Sequence, residues 1–259
     1  MSSAIRRLNV DRHPAGPGED EVVREEPLQI KVEGRAVAIT MRTPGDDLDL
    51  VAGFLWTEGV IDGPDDLVAL ASVGENVVDA RLADGVPAAR SRAADRASFS
   101  SSSCGVCGKE TVDRLIRSLL PLQSAWEPGP ELLLRLPGAL TRAQPAWTRT
   151  GGLHAAALFD RSGNILDVRE DVGRHNAVDK LLGARLRTER LDLGELGMVV
   201  TSRAGFEIVQ KAWVGRVPVL AVFGPPTDLA VTTARAAGMR LYGWLRPNRY
   251  LSYGASPVV

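Results

Sequence analysis

The sequence contains little cysteine, little histidine and few aromatic residues, and it carries almost no excess charge. Its 259 residues include two cysteines, three histidines, five tryptophans, three tyrosines and five phenylalanines. Two cysteines in one chain exclude a disulfide-rich secreted scaffold, an all-cysteine zinc site and a cysteine-ligated iron–sulfur cluster. The 31 Lys and Arg and the 32 Asp and Glu give a net charge of −1. This balance argues against a general nucleic-acid binder, although it leaves room for a local basic patch.

Long hydrophobic runs are also missing. The longest run, residues 217–223, is far shorter than the roughly 20 apolar residues of a membrane-spanning helix. No apolar stretch follows Arg6 and Arg7 to make a signal peptide. We therefore expect a cytoplasmic protein without membrane insertion. In that compartment a CxxC pair is more typical of reactive or metal-binding thiols than of a structural disulfide.

Residue patterns divide the chain into four parts. Proline, glycine and several acids in residues 1–26 predict a loose tail. Apolar alternation followed by helical spacing predicts a smaller α+β subdomain over 27–97, with a β-hairpin and one helix. A Ser-rich stretch predicts a mobile cysteine loop over 98–110. The main domain is predicted over residues 111–259. One short helix is predicted near 131–136, and repeated strand–helix–strand units follow it. These units are typical of an α/β fold with a mostly parallel or mixed sheet.

The two cysteines, Cys104 and Cys107, stand in a Ser- and Gly-rich segment just before a predicted helix. A cysteine attacks only as a thiolate, and a helix N-terminus together with a nearby cation such as Lys109 favours that form. The pattern therefore favours a reactive pair that can hold and pass on sulfur. Two alternatives remain at this point: buried incidental cysteines, and a zinc site completed by His154 and His175.

Polar residues follow the ends of four predicted strands in the C-terminal half. In an α/β sheet such ends form the edge where ligands bind, and helix N-termini beside arginines hold anions. We expect these segments to converge on one large anionic ligand, with an aromatic plane and arginines suited to a purine base and its phosphates. The candidate cofactor-binding residues are His154, Arg169, Arg174, His175, Ser202, Arg203, Trp244, Leu245, Arg246, Pro247, Asn248 and Arg249. A core histidine at 154 and a solvated, ion-paired loop over 169–180 are the alternative interpretations.

Three functions fit these residues before any family is considered. The first is a sulfur-transferring enzyme with a cysteine persulfide and a nucleotide-like ligand. The second is a zinc hydrolase or deaminase-like enzyme, which is weakened because the sequence has no His-x-Glu and no proline before the CxxC. The third is a non-catalytic binder or chaperone for a nucleotide-containing cofactor.

Several segments resemble the FdhD family of formate dehydrogenase accessory sulfurtransferases. The similar segments are 42–47, 57–59, 102–109, 150–157, 169–180 and 206–211. The 12-residue segment 169–180 is the most distinctive, and the resemblance extends from about residue 30 to residue 253. The sequence departs from the family pattern at Ser202, Gly205, Pro247 and Asn248.

The resemblance implies a sulfur carrier that receives persulfide sulfur from a cysteine desulfurase, with Cys104 as the persulfide site and Cys107 as a secondary thiol. The sulfur would pass to the molybdenum (or tungsten) cofactor that formate dehydrogenase needs. This cofactor would be molybdenum bis(molybdopterin guanine dinucleotide). It also implies a cytidine-deaminase-like three-layer sandwich with no structural metal, a homodimer, and a guanine-dinucleotide contact over 244–249. A guanine nucleotide would then mimic the bound cofactor.

Overall fold

The computed structural model describes residues 4–12, 15–87, 120–124, 126–188 and 190–254. The strands are β1 (Ile5–Arg12), β2 (Gly16–Val23), β3 (Glu26–Val32), β4 (Arg35–Arg42), β5 (Leu67–Gly74), β6 (Val77–Leu82), β7 (His154–Phe159), β8 (Ile165–Asp171), β9 (Gly197–Val200), β10 (Val219–Val222), β11 (Arg240–Arg246) and β12 (Arg249–Ser252). The helices are α1 (Asp47–Thr57), α2 (Pro130–Arg142), α3 (Pro145–Thr150), α4 (Arg174–Arg187), α5 (Phe206–Val214) and α6 (Asp228–Ala236), with a short 3₁₀ turn at Pro64–Asp66. The protein is therefore mixed α/β, as predicted.

The loop predicted over 98–110, with Cys104 and Cys107, lies outside the described residues. Among the residues that are described, no helix is long and apolar enough to cross a membrane.

The loose tail expected over residues 1–26 is instead a β-hairpin, in which β1 and β2 pair antiparallel along their whole length. Opposite charges face each other across it, because Arg7 lies 3.4 Å from both Glu19 and Glu21. Arg149 of α3 then binds both oxygens of Glu21, at 2.7 and 2.8 Å, and this hydrogen-bonded pairing lowers the pKa of Glu21 to about 2. Composition alone suggested a disordered segment, but cross-strand ion pairs and docking on α3 give the hairpin its structure.

A four-stranded sheet and α1 form the N-terminal subdomain. The strand order is β4-β3-β6-β5, with β3 antiparallel to β4 and parallel to β6. Alternate residues of β3, Leu28, Ile30 and Val32, are buried in the same apolar core as Leu50 and Leu55 of α1. The predicted hairpin and the helix that follows it are confirmed.

A six-stranded sheet forms the centre of the main domain, in the order β12-β11-β10-β9-β7-β8. The strands β9, β10 and β11 are parallel, whereas β7 runs antiparallel to both of its neighbours and β12 runs antiparallel to β11. His154 at the start of β7 therefore lies opposite Asp171 at the end of β8. One edge of the sheet collects the carboxyl ends of β8, β9, β10 and β11 together with the amino end of β7.

Helices cover both faces of this sheet. The helix predicted near 131–136 is longer and spans all of α2, although Pro137 lies inside it. A proline in a helix interior costs about 3 kcal/mol, but four leucines of α2 are buried at helical spacing, and each buried leucine contributes roughly 1.5–3 kcal/mol. These four leucines are Leu132, Leu133, Leu136 and Leu140. Hydrophobic burial thus outweighs the cost of the proline.

The subdomain joins the main domain through a contact between α1 and α4. A Cβ atom placed on Gly53 would lie 1.9 Å from the carbonyl oxygen of Asp179, and one on Gly183 would lie 1.9 Å from that of Asp49. Only glycine allows two helix backbones to approach this closely. The two predicted parts consequently share one apolar core. The finer similarity to the cytidine-deaminase fold stays a prediction.

Candidate functional site

A pocket of about 900 Å³ lies at the edge where the strand ends of the large sheet meet. Its walls come from α2, the start of β7, the start of α4 and the segments that follow β9, β10 and β11. The lining residues are Pro137, Gly138, Thr141, Arg142, His154, Arg174, Thr201, Ser202, Arg203, Phe223, Gly224, Leu245, Arg246 and Pro247. Such an edge is where ligands bind in α/β sheets.

The pocket is strongly cationic. Arg142, Arg174, Arg203 and Arg246 all line it, and no aspartate or glutamate does. Within the described part of the chain, none of the four has a carboxylate oxygen within 4.0 Å. Arg246 donates to the carbonyl oxygens of Leu245, at 2.8 Å, and of the residue before Gly224, at 2.6 Å. Uncompensated guanidinium groups around one cavity favour a ligand with several negative charges.

His154 occupies the wall beside Arg174. Its Nδ1 atom lies 3.4 Å from Oγ1 of Thr201. Burial lowers the pKa of His154, and the electrostatic effects of Arg174 and His175 lower it further, against a smaller opposite effect of Asp171. The neutral ring is therefore the favoured form at pH 7, since an unperturbed histidine has a pKa near 6.5.

Backbone geometry shapes the rest of the cavity. Gly224 has to be glycine, because a Cβ atom there would lie 2.8 Å from Cγ and 3.0 Å from Cα of Arg203. The amide of Gly224 donates to the carbonyl oxygen of Ser202 at 2.9 Å, which joins the segments after β9 and β10. Helix α4 begins with Arg174, so the positive end of its dipole lies at the pocket wall.

Seven of the twelve candidate binding residues line this pocket. The seven are His154, Arg174, Ser202, Arg203, Leu245, Arg246 and Pro247. They come from four separate segments of the sequence, and the sheet edge brings them together as the strand-end argument expected. The convergence occurs although the sheet is mixed, because β7 contributes its amino end rather than its carboxyl end.

Five candidates lie outside the pocket lining: Arg169, His175, Trp244, Asn248 and Arg249. Arg169 forms ion pairs with Asp167, with Asp49 at 3.3 Å and with Asp46 at 3.8 Å. The Nε2 atom of His175 lies 2.8 Å from a carboxylate oxygen of Glu207. Trp244 is 37% exposed and has a left-handed backbone (φ 54°) at an irregularity in the pairing of β11 with β12.

Much of segment 169–180 serves the fold rather than the cavity. Asp171 is completely buried and accepts hydrogen bonds from the amides of Gly173, at 2.8 Å, and Thr43, at 3.1 Å. Nζ of Lys180 lies 2.8 Å from Asp171 and donates to the carbonyl oxygen of Thr43 at the same distance. The charged residues that resembled a ligand loop thus attach β8 and α4 to the segment that follows β4, and they hold Arg174 at the pocket.

Segments 57–59 and 206–211 meet in a second buried polar cluster. Lys211 donates to Asp179, to Glu58 and to the hydroxyl of Thr57, at 2.8–3.0 Å. Thr57 in turn donates to Asp179 at 2.8 Å. Burial alone would lower the pKa of Lys211, but the two carboxylates raise it above its ordinary value, so the lysine is charged. The cluster joins α1, α4 and α5.

Sequence reasoning missed the wall that α2 provides. Pro137, Gly138, Thr141 and Arg142 line the cavity, and their spacing places them on one face of the helix, away from the buried leucines. The spacing of the leucines indicates this wall, because it leaves this face of α2 without a buried leucine. The prolines between residues 121 and 145 obscure this pattern, because they are typical of a connecting segment with only a short helix.

The comparisons with known proteins agree with one another. The model of the FdhD/NarQ family matches residues 23–257. A sulfur carrier protein FdhD of Streptomyces avermitilis is 45% identical over 243 residues, which cover 88% of this chain and 84% of that protein. A sulfur carrier protein FdhD of Anaeromyxobacter dehalogenans is 43% identical over 267 residues, covering 97% and 92%. The crystal structure of a putative formate dehydrogenase accessory protein from Desulfotalea psychrophila superposes with a TM-score of 0.74 at 25% identity, covering 97% of this chain and 96% of that one.

Proposed function

The chain belongs to the FdhD/NarQ family, and from this premise we propose that it is a sulfur carrier in the maturation of formate dehydrogenase. One structural observation carries the proposal. Four arginines line a single pocket without a neighbouring carboxylate in the described residues, as a ligand with several phosphates requires. The names of its relatives, sulfur carrier and formate dehydrogenase accessory protein, supply the chemistry and the client.

The substrate that we propose for this pocket is the molybdenum bis(molybdopterin guanine dinucleotide) cofactor. Arg174, Arg203 and Arg246 bind its phosphates, and Arg142 completes the binding from α2. The cavity of about 900 Å³ is large enough for a nucleotide portion but not for the whole cofactor, so the remainder extends outward. A guanine nucleotide such as guanosine diphosphate is the corresponding test ligand.

Sulfur enters as a persulfide on Cys104. The Cys104 thiolate attacks the terminal sulfur of a persulfide on a cysteine desulfurase, and the sulfur–sulfur bond of that persulfide breaks. The desulfurase cysteine leaves as a thiolate, while Cys104 now carries the additional sulfur atom, with no net oxidation or reduction. Cys107 assists as a secondary thiol, and the working form is a homodimer.

Incubation with a cysteine desulfurase and cysteine tests the sulfur step. We expect wild type and Cys107→Ala to gain one sulfur atom by intact-mass measurement, and Cys104→Ala to gain none. If Cys104→Ala matured formate dehydrogenase as well as wild type does, persulfide transfer through this residue would be disproved. The protein would then be a non-catalytic chaperone for the cofactor.

Calorimetric titration with guanosine diphosphate tests the pocket. Hydrogen bonds to charged groups contribute about 1.5–3 kcal/mol, so Arg203→Ala and Arg142→Ala should each weaken binding roughly 10- to 100-fold. Arg135 is a matched control, because it lies in α2 and is exposed but does not line the cavity. Equal losses in Arg135→Ala and Arg142→Ala would contradict the assignment of the pocket.

A further inference from the structure

The hydroxyl of Thr201 lies between three polar groups. It accepts the amide hydrogen of Ala155 at 2.9 Å. Its own proton therefore has two acceptors within reach: Nδ1 of His154 at 3.4 Å and the carbonyl oxygen of Ala155 at 3.5 Å. A hydroxyl proton rotates freely to suit its surroundings, so this hydroxyl serves either protonation state of the imidazole.

With a neutral His154, Thr201 donates to Nδ1, and the ring proton then sits on Nε2. With a protonated His154, Nδ1–H donates to the Thr201 oxygen, and the hydroxyl proton turns to the Ala155 carbonyl. In both arrangements Nδ1 and the Thr201 hydroxyl stay hydrogen-bonded, and no heavy atom has to move. A valine at 201 would have almost the same shape, but it would offer no acceptor to a protonated Nδ1.

Burial favours the neutral form of His154 in the absence of a ligand, and the electrostatic effects of Arg174 and His175 of α4 act in the same direction. Asp171 of β8 has the opposite, smaller effect. The other charged groups of the pocket, from α2, the segment after β9 and β11, are Arg142, Arg203 and Arg246. A phosphate group that enters the pocket adds negative charge next to the ring and reverses this balance.

We propose that Thr201 is a positioning residue that allows His154 to take up one proton from solvent when a phosphate-bearing ligand enters the pocket. The inference rests on the proposed function, since it takes the ligand to be the nucleotide portion of the cofactor. Bound ligand is then held by an additional cation that the free protein does not carry. Affinity for phosphates increases as the pH falls, by up to about tenfold per pH unit.

Titration calorimetry with guanosine diphosphate, in buffers of different ionisation enthalpy at pH 7.5, measures the protons taken up. The second pKa of a phosphate is about 6, so the ligand itself contributes little at this pH. We expect wild type to take up a substantial fraction of one proton. His154→Asn and Thr201→Val should lose that uptake, and Thr201→Ser should retain it. In wild type, the ¹⁵N NMR signals of the His154 ring should shift to those of the protonated form when ligand is added.

Thr232→Val is the matched control, because this threonine is exposed on α6 and does not line the pocket. It should keep the proton uptake of wild type. Equal uptake in wild type and His154→Asn, or full uptake in Thr201→Val, would overturn the inference and leave the proposed function intact. If wild type failed to bind guanosine diphosphate at all, the proposed nucleotide pocket would fail, and this inference with it.

Discussion

At the scale of single residues, buried lysines paired with carboxylates stabilise the fold, whereas the arginines that line the pocket have no carboxylate partner among the described residues. Lys180 and Lys211 are both buried and are bonded to buried aspartates. Removing one partner from a buried ion pair leaves an uncompensated charge, which costs about 3–5 kcal/mol. The pocket arginines have no such partners in the described residues, so their replacement should reduce binding more than stability.

Lys211→Met should therefore lower the free energy of unfolding by about 3–5 kcal/mol in urea denaturation, because Asp179 loses its cation. Lys31→Met is the control, because Lys31 is only half-buried. It should change the free energy of unfolding by no more than about 0.5 kcal/mol. Burial raises the pKa of Asp179. A raised carboxyl pKa favours the folded state at low pH and disfavours it as the pH rises, so the Lys211→Met deficit should shrink as the pH falls. A deficit independent of pH would contradict this account of Asp179.

The sequence identified half of the pocket-lining residues, but it could not separate them from the residues of the buried polar clusters. His154, Ser202 and Arg246 were predictable because each lies beside the end of a strand. Arg169 and His175 are also basic residues near the end of a strand, like several residues that line the pocket. Their carboxylate partners lie elsewhere in the chain, so local patterns could not show that these side chains were already engaged.

At the scale of elements, the contact between α1 and α4 is the most restrictive feature. Both helices are buried over most of their length. Their contact point is made of backbone, because Gly53 and Gly183 lie against carbonyl oxygens of the partner helix. Helical spacing predicted α1, and apolar alternation predicted the hairpin of β3 and β4. Periodicity does not show which helices touch without side chains between them.

Gly183→Ala should destabilise the protein by at least about 2 kcal/mol, because overpacking a close contact forces the backbones apart. Gly138→Ala in α2 is the matched control. Its added methyl group would first meet the end of the Arg142 side chain, at 3.4 Å, and alanine is a better helix former than glycine by up to about 1 kcal/mol. Thermal denaturation should therefore show a lower Tm for Gly183→Ala and an unchanged or higher Tm for Gly138→Ala. A Tm for Gly183→Ala equal to that of wild type would mean that the helices separate without cost.

At the scale of the whole molecule, the N-terminal subdomain and the main domain share one apolar core. The sequence predicted a smaller subdomain over 27–97 and a main domain over 111–259, and apolar residues from both belong to a single core. The two polar clusters around Lys180 and Lys211 cross the same boundary. Such tertiary contacts join segments more than a hundred residues apart, and no local signal in the sequence reports them.

We therefore expect a single unfolding transition. Tryptophan fluorescence and far-ultraviolet circular dichroism should give the same midpoint in urea, as two-state unfolding requires. Addition of guanosine diphosphate should move both midpoints together, because a ligand that binds only the folded state stabilises the whole cooperative unit. Two separated transitions, of which only one responds to ligand, would show that the parts fold independently.

The glycine contact between α1 and α4 also has a consequence for sequence change in this protein. Helices that contact each other through side chains tolerate substitutions at the contact, because rotamers and neighbouring residues adjust. Helices that contact each other through carbonyl oxygens cannot adjust in this way, so the position of α1 fixes the position of the α4 axis. Arg174 is the first residue of that axis and lies in the pocket wall. We therefore expect a substitution at Gly53 to change ligand recognition, although no residue of α1 lines the pocket.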